Sequence, residues 1–153
     1  MVTDRFGTLI EELSKAVKIK LAPDSHGACR IKFKDKLEVY METDPSGEEI
    51  QMIIDIGMPG EGNYRQNLLK EALRANGRPF PRCGVFCYGQ KTDSLLLYDS
   101  QPMEDLNGAR LSDVIKQLCE KARVWREAIS RGEMPPYQSG GTVSSSEGFM
   151  GLR

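Results

Sequence analysis

Four cysteines and one histidine carry the most reactive side chains of this 153-residue sequence. Cys83 and Cys87 stand four apart in RCGVFCYGQKTDSLLLYD, a spacing that suggests a metal clip or a redox pair. On an extended strand, however, their Cα atoms lie roughly 13 Å apart at ~3.3 Å per residue, whereas a disulfide needs about 7 Å or less. Zinc clips use tight C-x-x-C turns, normally with a second pair, and Cys29 and Cys119 supply no such spacing. The four therefore read as reduced structural residues that behave as small apolar side chains. His26, in the loop PDSHG, is the sole imidazole available to a Ser-His or Cys-His arrangement. No nucleophile elbow or other local motif stands beside it, and it reads as a surface residue.

Carboxylates and glycines give no stronger signal. Glu11-Glu12 and Glu48-Glu49 look like solvated helix and turn positions. GMPGEG lacks the G-x-x-x-x-G-K-[ST] pattern and leads into a helix without a lysine to meet a phosphate. No assembled active site, metal site or cofactor is expected, and the chain reads as a non-enzyme. The basic run RIKFKDK, with Arg30, Lys32, Lys34 and Lys36, has two readings. One is a lysine-rich edge strand that discourages aggregation. The other is a charged contact for a peptide or nucleic acid, although Glu38 and Glu42 on the next strand would partly neutralise that face.

The elements that must position these residues follow from periodicity. From Thr3, a plausible cap, to about Lys20, Phe6, Leu9, Ile10, Leu13 and Val17 recur at helical spacing. Three alternating segments come next: RIKFK, LEVYME and EIQMIIDIG, the last two joined by DPSG, a type I turn sequence. They predict an antiparallel meander with one apolar face. Asn63 is placed to cap a second helix through about Ala75, with Tyr64, Leu68, Leu69, Ala72 and Leu73 on one side. Asn76-Gly77 stops it, and Pro79 and Pro81 forbid continuation. A third helix is expected from a cap at Asn107 to about Arg131, striped by Leu111, Val114, Ile115, Leu118, Ala122, Trp125 and Ile129.

Between the last two helices, GQKTDS supplies turn residues for a hairpin. If Tyr88 pairs with Leu95 and Phe86 with Leu97, these four share one side. Cys83, Val85, Cys87, Leu96 and Tyr98 then share the other. A strand pair with two apolar faces is covered by helices on both sides, or by one core and one partner. Three helices in so short a chain favour the second arrangement, self-association. The whole is an α+β domain over residues 1–131, a twisted antiparallel sheet with three helices in the order α-β-β-β-α-β-β-α. Residues 132–153, rich in Gly, Ser and Pro, are expected to form a mobile tail.

Composition bounds the partners. Net charge is −1 and 28% of residues are charged, without the basic excess of a dedicated nucleic-acid binder. No apolar run approaches the ~18–20 residues that cross a bilayer. Asp4, Glu11 and Glu12 stand where a signal peptide needs positive charge and then an apolar run. The expectation is a cytosolic protein with reduced thiols, no membrane insertion and no nucleic-acid partner.

The segment FCYGQKTDSLLLYDSQPMEDLNGARLSDVIKQLCEKARVWREAI carries a more specific pattern. A short strand and an acidic turn precede a Leu-rich strand, a leucine–proline corner and a helix ending in an alanine–tryptophan signature. Leu95, Leu97, Pro102, Leu106, Leu111, Leu118, Ala122, Trp125 and Ile129 occupy its positions. Together with the element order, it resembles class I type III secretion chaperones, the Tir-chaperone (CesT/SycE-like) family, over residues 4–131. The resemblance implies a bacterial cytoplasmic homodimer, built through the second helix and fourth strand, with no ATP use and no catalysis. It further implies that the N-terminal segment of a secreted effector is held extended and secretion-competent. The secretion ATPase or sorting platform would be a further partner. Strand addition and apolar pockets would supply such binding. Phe6, Ile10 and Leu13 on the first helix are candidate pocket residues, as are Tyr40 and Ile53 on the polar sheet face. Leu69, Leu73, Phe86 and Tyr88 are the candidate dimer contacts. A regulatory adaptor of the same fold, without a role in secretion, is the alternative reading. The chain is less acidic than many such chaperones, and its tail is longer than the domain requires.

Overall fold

The alternating segments of the first half become strands, and the 3.6-residue stripes become helices, in the computed structural model. It describes residues 4–79 and 83–136. In chain order the elements are α1 (Arg5–Val17), β1 (Ala28–Lys32), β2 (Glu38–Thr43), β3 (Glu49–Gly57), α2 (Asn63–Asn76), β4 (Val85–Gly89), β5 (Ser94–Pro102) and α3 (Gly108–Arg131). The strands form one sheet in the order β1-β2-β3-β5-β4, with every neighbouring pair antiparallel. The element order and α+β class are those expected from the sequence.

The apolar faces of the strands meet α1 and α3. Ile31, Val39, Met41, Ile50, Met52, Ile54, Leu95 and Leu97 are buried on one side of the sheet. Phe6, Leu9, Ile10 and Leu13 bring the α1 stripe onto them, and Leu111, Ile115, Leu118, Ala122 and Trp125 bring that of α3. At about 1.5–3 kcal/mol for each fully buried large apolar side chain, these two stripes dominate the stability of the helical layer. Glu12 on α1 accepts a hydrogen bond from the Gly108 amide at 2.9 Å, locking the two helices together. A side chain at Gly108 would place its Cβ 2.5 Å from the Glu12 carbonyl carbon, so the close approach requires glycine.

Helix ends follow local chemistry, with differences from the expected caps. Thr3 lies outside the described residues, and the cap of α1 is Asp4, whose carboxylate accepts from the Gly7 amide at 2.6 Å. Helix α1 stops at Val17 rather than near Lys20 because Lys18 turns left-handed at φ 58°. Asn63 is the first residue of α2 and not its cap. Gly62 holds the cap position at φ 140°, a backbone conformation open to glycine. Asn107 caps α3 as expected, accepting from the Arg110 amide at 2.9 Å. The C-terminal stop at Gly77 is likewise present, whereas Pro81 falls outside the described residues.

The hairpin has the anticipated register, Phe86 opposite Leu97 and Tyr88 opposite Leu95. Its two faces are unequal. Phe86, Leu95 and Leu97 enter the core, while Val85, Leu96 and Tyr98 are half-buried and Cys87 is exposed on the other side. The Phe86 ring lies 4.1 Å from that of Trp125, centroid to centroid. Tyr88 shares the core-side phase but stands at the hairpin end, 53% exposed. Of the expected tail, residues 137–153 lie outside the described residues.

Candidate peptide-binding site

A sheet with two edges offers two places for an added strand, and the chain treats them differently. At β4, Asn76 presents its carboxamide to the edge. Its Oδ1 accepts from the Phe86 amide at 2.7 Å, and its Nδ2 donates to the Phe86 carbonyl at 2.9 Å. The side chain thus takes the place of a neighbouring strand. At β1 Asp24 gives the corresponding cover to Ala28, and as at β4 it extends over one residue. The Asp24 amide donates to the Ala28 carbonyl at 2.7 Å, and the Asp24 carboxylate accepts from the Ala28 amide at 3.0 Å. In an antiparallel pair, the backbone groups of alternate residues point toward and away from the partner strand. Phe33 donates inward to Leu37 at 2.8 Å, so the Arg30 and Lys32 peptide groups point outward with Ala28.

Beside this open stretch lies a groove of about 350 Å³. Val17 at the end of α1 with Ile19 just beyond it, Ile31 of β1 with Phe33 just after it, and Ile115 and Cys119 of α3 give it its apolar lining. Ser14 shapes the rim by accepting from the Leu21 amide at 3.1 Å and donating to the Ile19 carbonyl at 2.6 Å. That turn leaves Ile19 43% exposed. At the far end Arg123 reaches across from α3, donating to Asp35 at 2.7 Å and lying 5.2 Å from the Phe33 ring centroid. The Arg123 hydrogen bond holds the Asp35 carboxyl below the ordinary carboxylate range.

Burial pushes the Cys83 and Cys119 thiols up to about 11, away from the thiolate form. Cys29 and Cys87 are raised for the same reason. Among the described residues, no three His, Cys, Asp or Glu side chains gather where they could hold a metal ion. His26 is exposed on its loop. No helix among the described residues is long and apolar enough to cross a membrane.

The sequence-derived candidates separate sharply. Phe6, Ile10 and Leu13 are at most 3% exposed within their own chain, so they cannot line a pocket without opening the core. Their stripe is the one that α1 turns toward α3 and the sheet; the accessible apolar residues lie at the end of α1, Val17, and just past it, Ile19. Tyr40 and Ile53 are brought together as cross-strand partners on the face away from the core, and both are half-buried. They belong to one row across the sheet, Arg30–Tyr40–Ile53–Tyr98–Val85, with the Arg30 guanidinium 5.0 Å from the Tyr40 ring centroid. Of the candidate dimer contacts, Phe86 is buried against Trp125 and does not reach the surface. Leu69 is half-buried, whereas Leu73 is 72% exposed and Tyr88 is open.

The groove is not among the sequence-derived candidates, although two signals point to it. Ile19 is an apolar residue just beyond the α1 stripe, and Phe33 continues the inward phase of β1 past the strand end.

A five-stranded antiparallel sheet with this element order is the fold of type III secretion chaperones. A chain of the HopA1–SchA chaperone–effector complex superposes with a TM-score of 0.66 at 26% identity, covering 81% of this chain and 94% of that one. A chain of the complex between the Yersinia pestis type III secretion chaperone SycH and a stable fragment of YscM2 gives 0.65 at 18% identity, over 77% and 97%. The ExsC–ExsE complex gives 0.64 at 18% identity, over 84% and 96%. No curated protein matches the sequence. The model of the Tir chaperone protein (CesT) family matches residues 8–126, and the chain belongs to that family.

Proposed function

We propose that this protein is a dimeric bacterial cytoplasmic chaperone that holds an N-terminal segment of a secreted effector in extended form. The observation that carries the reading is the uncovered stretch of β1 at Arg30 and Lys32, placed directly beside an apolar groove. A peptide joining β1 gains main-chain hydrogen bonds, while alternate side chains enter the groove between α1 and α3. Neither contribution needs the client to be folded, and the client's apolar residues are covered by the chaperone instead of by a core of their own. No step requires ATP or bond chemistry.

Dimerisation is assigned to the α2–β4 surface. Two ties hold these elements side by side: Asn76 on Phe86 at one end, and Arg65 with Tyr88 on Asp93 at the other. Leu69 and Leu73 lie on α2 between those ties, with Leu73 outside the chain's own core. A twofold partner would cover Leu73 and the Tyr88 ring.

Purification of the chain from its native bacterium, followed by mass spectrometry and hydrogen exchange, tests the reading. Secreted proteins captured through their N-terminal segments, with slowed exchange at the Arg30 and Lys32 amides, are expected. Capture of cytosolic enzymes alone, with no change at β1, would replace secretion with the adaptor role.

A further inference from the structure

The open edge of β1 is surrounded by cations with few anions to answer them. Between Leu13 and Leu37 the sequence holds seven Lys and Arg but two carboxylates, although the whole chain has net charge −1. Both carboxylates are engaged. Asp24 accepts from the Ala28 and His26 amides, and Asp35 accepts from Arg123. Lys15 pairs with Glu11 at 3.4 Å and Arg30 with Glu38 at 3.2 Å. Lys18, Lys20, Lys32, Lys34 and Lys36 are all exposed and have no carboxylate within ion-pair distance among the described residues. Lys116 joins them from the groove wall on α3, where Glu120 is the one nearby carboxylate in the lining.

The strand geometry turns this asymmetry into a pattern. On β1, Cys29 and Ile31 face the core, while Arg30 and Lys32 face the other side. A strand added at this edge would alternate in the same way. Its groove-side residues would meet Ile31, Phe33 and Ile115, and its other residues would lie opposite Arg30 and Lys32 at cross-strand distance. Building on the effector-binding reading above, we infer that the segment bound at β1 is a peptide strand that alternates apolar with acidic residues. The apolar set enters the groove and the acidic set faces Arg30 and Lys32, with Lys34 and Lys36 beyond.

Lysines on an edge also deter aggregation, but two features distinguish this edge. On the opposite edge Asn76 takes up the Phe86 peptide group and one outward-facing group, at Tyr88, follows it, whereas here two successive outward-facing groups, at Arg30 and Lys32, follow the one held by Asp24. In addition, the open stretch adjoins an apolar groove, which a purely deterrent edge would not need.

Fluorescence anisotropy with three labelled peptides of equal length tests the inference. One alternates valine with glutamate, a second has glutamine for each glutamate, and a third has lysine. The acidic peptide is expected to bind about tenfold tighter than the glutamine peptide, from several surface ion pairs together. That preference should shrink as salt rises from about 50 to about 500 mM. The double variant Lys32→Gln/Lys34→Gln should lose the preference for the acidic over the glutamine peptide. Equal affinity for the acidic and glutamine peptides would overturn the inference and leave strand addition standing. Failure of all three peptides to bind, with no protection at β1 by captured effectors, would remove strand addition itself. An oligonucleotide of similar charge that binds as tightly, with the same sensitivity to the lysine variant, would assign the cations to nucleic acid instead.

Discussion

Cys83 and Cys119 show what residue-scale environment does to nominally reactive side chains. Both thiols sit where desolvation disfavours the thiolate, and their titration moves up to about 11. The thiols of the unfolded chain titrate near the ordinary value of about 8.5. Between these limits the folded chain binds more protons than the unfolded one, so stability falls as pH rises. Below the lower limit both states keep their protons and the thiols contribute no slope. Urea denaturation of wild type is therefore expected to show a midpoint falling between about pH 8.5 and 11. A Cys83→Ala/Cys119→Ala variant should show a shallower fall over the same range, whatever its stability at neutral pH. An identical slope in both proteins would show that these thiols are not held protonated by the fold. Alkylation gives the matching order: Cys87, exposed on the outer sheet face, should react before either of them at neutral pH.

At the scale of elements, the β4–β5 hairpin depends on α2 for its outer edge. Asn76 supplies both a donor and an acceptor to Phe86, and that residue in turn carries the contact with Trp125. Asn76→Ala removes both hydrogen bonds and leaves a partly buried peptide unit unpartnered, at a cost of about 1–2 kcal/mol. Chemical denaturation should register that loss, and hydrogen exchange should accelerate at the Phe86 amide ahead of the β2 and β3 amides. Unchanged exchange at Phe86 would mean that another group already closes the edge. Elements of this kind were legible in the sequence where side-chain periodicity is strong. The α1 and α3 stripes, the meander and the Phe86–Leu97 register all follow from local spacing. What periodicity does not encode is the partner each stripe receives. Phe6, Ile10 and Leu13 look alike as a core face or a binding face until α3 is laid against them. The groove depends on where α1 ends, and that is decided by the left-handed turn at Lys18 rather than by any apolar pattern. In the sequence Asn76 marks a helix stop, and its second role as a strand surrogate needs the hairpin to return beside it in space.

For the whole molecule, the proposed dimer would present the β1 edge twice, once from each chain. In the proposed arrangement the two edges of the sheet divide the work: β1, with the Arg30 and Lys32 peptide groups facing outward, takes the client, while β4, held to α2 through Asn76, carries the dimer surface. Because β1 and β4 lie at opposite ends of the strand order, a dimer through α2 and β4 would leave both client edges at its periphery, free for an extended client. Leu73 isolates the dimer part of this arrangement because it is 72% exposed and takes little part in its own core. Leu73→Asp should change the stability of the single chain by no more than about 0.5 kcal/mol, as for other exposed positions. In the dimer it would place an unpaired charge in an apolar contact, where desolvation costs far more. Light scattering at micromolar concentration is expected to show twice the chain mass for wild type and a single chain mass for the variant, with unchanged circular dichroism. A variant that stays dimeric would move the interface away from α2, and a wild type that scatters as a monomer would remove the dimer. If the monomeric variant still binds the acidic strand peptide with wild-type affinity, each β1 edge works alone. The dimer's contribution would then be to hold two segments of one client at once, gaining avidity without any new contact.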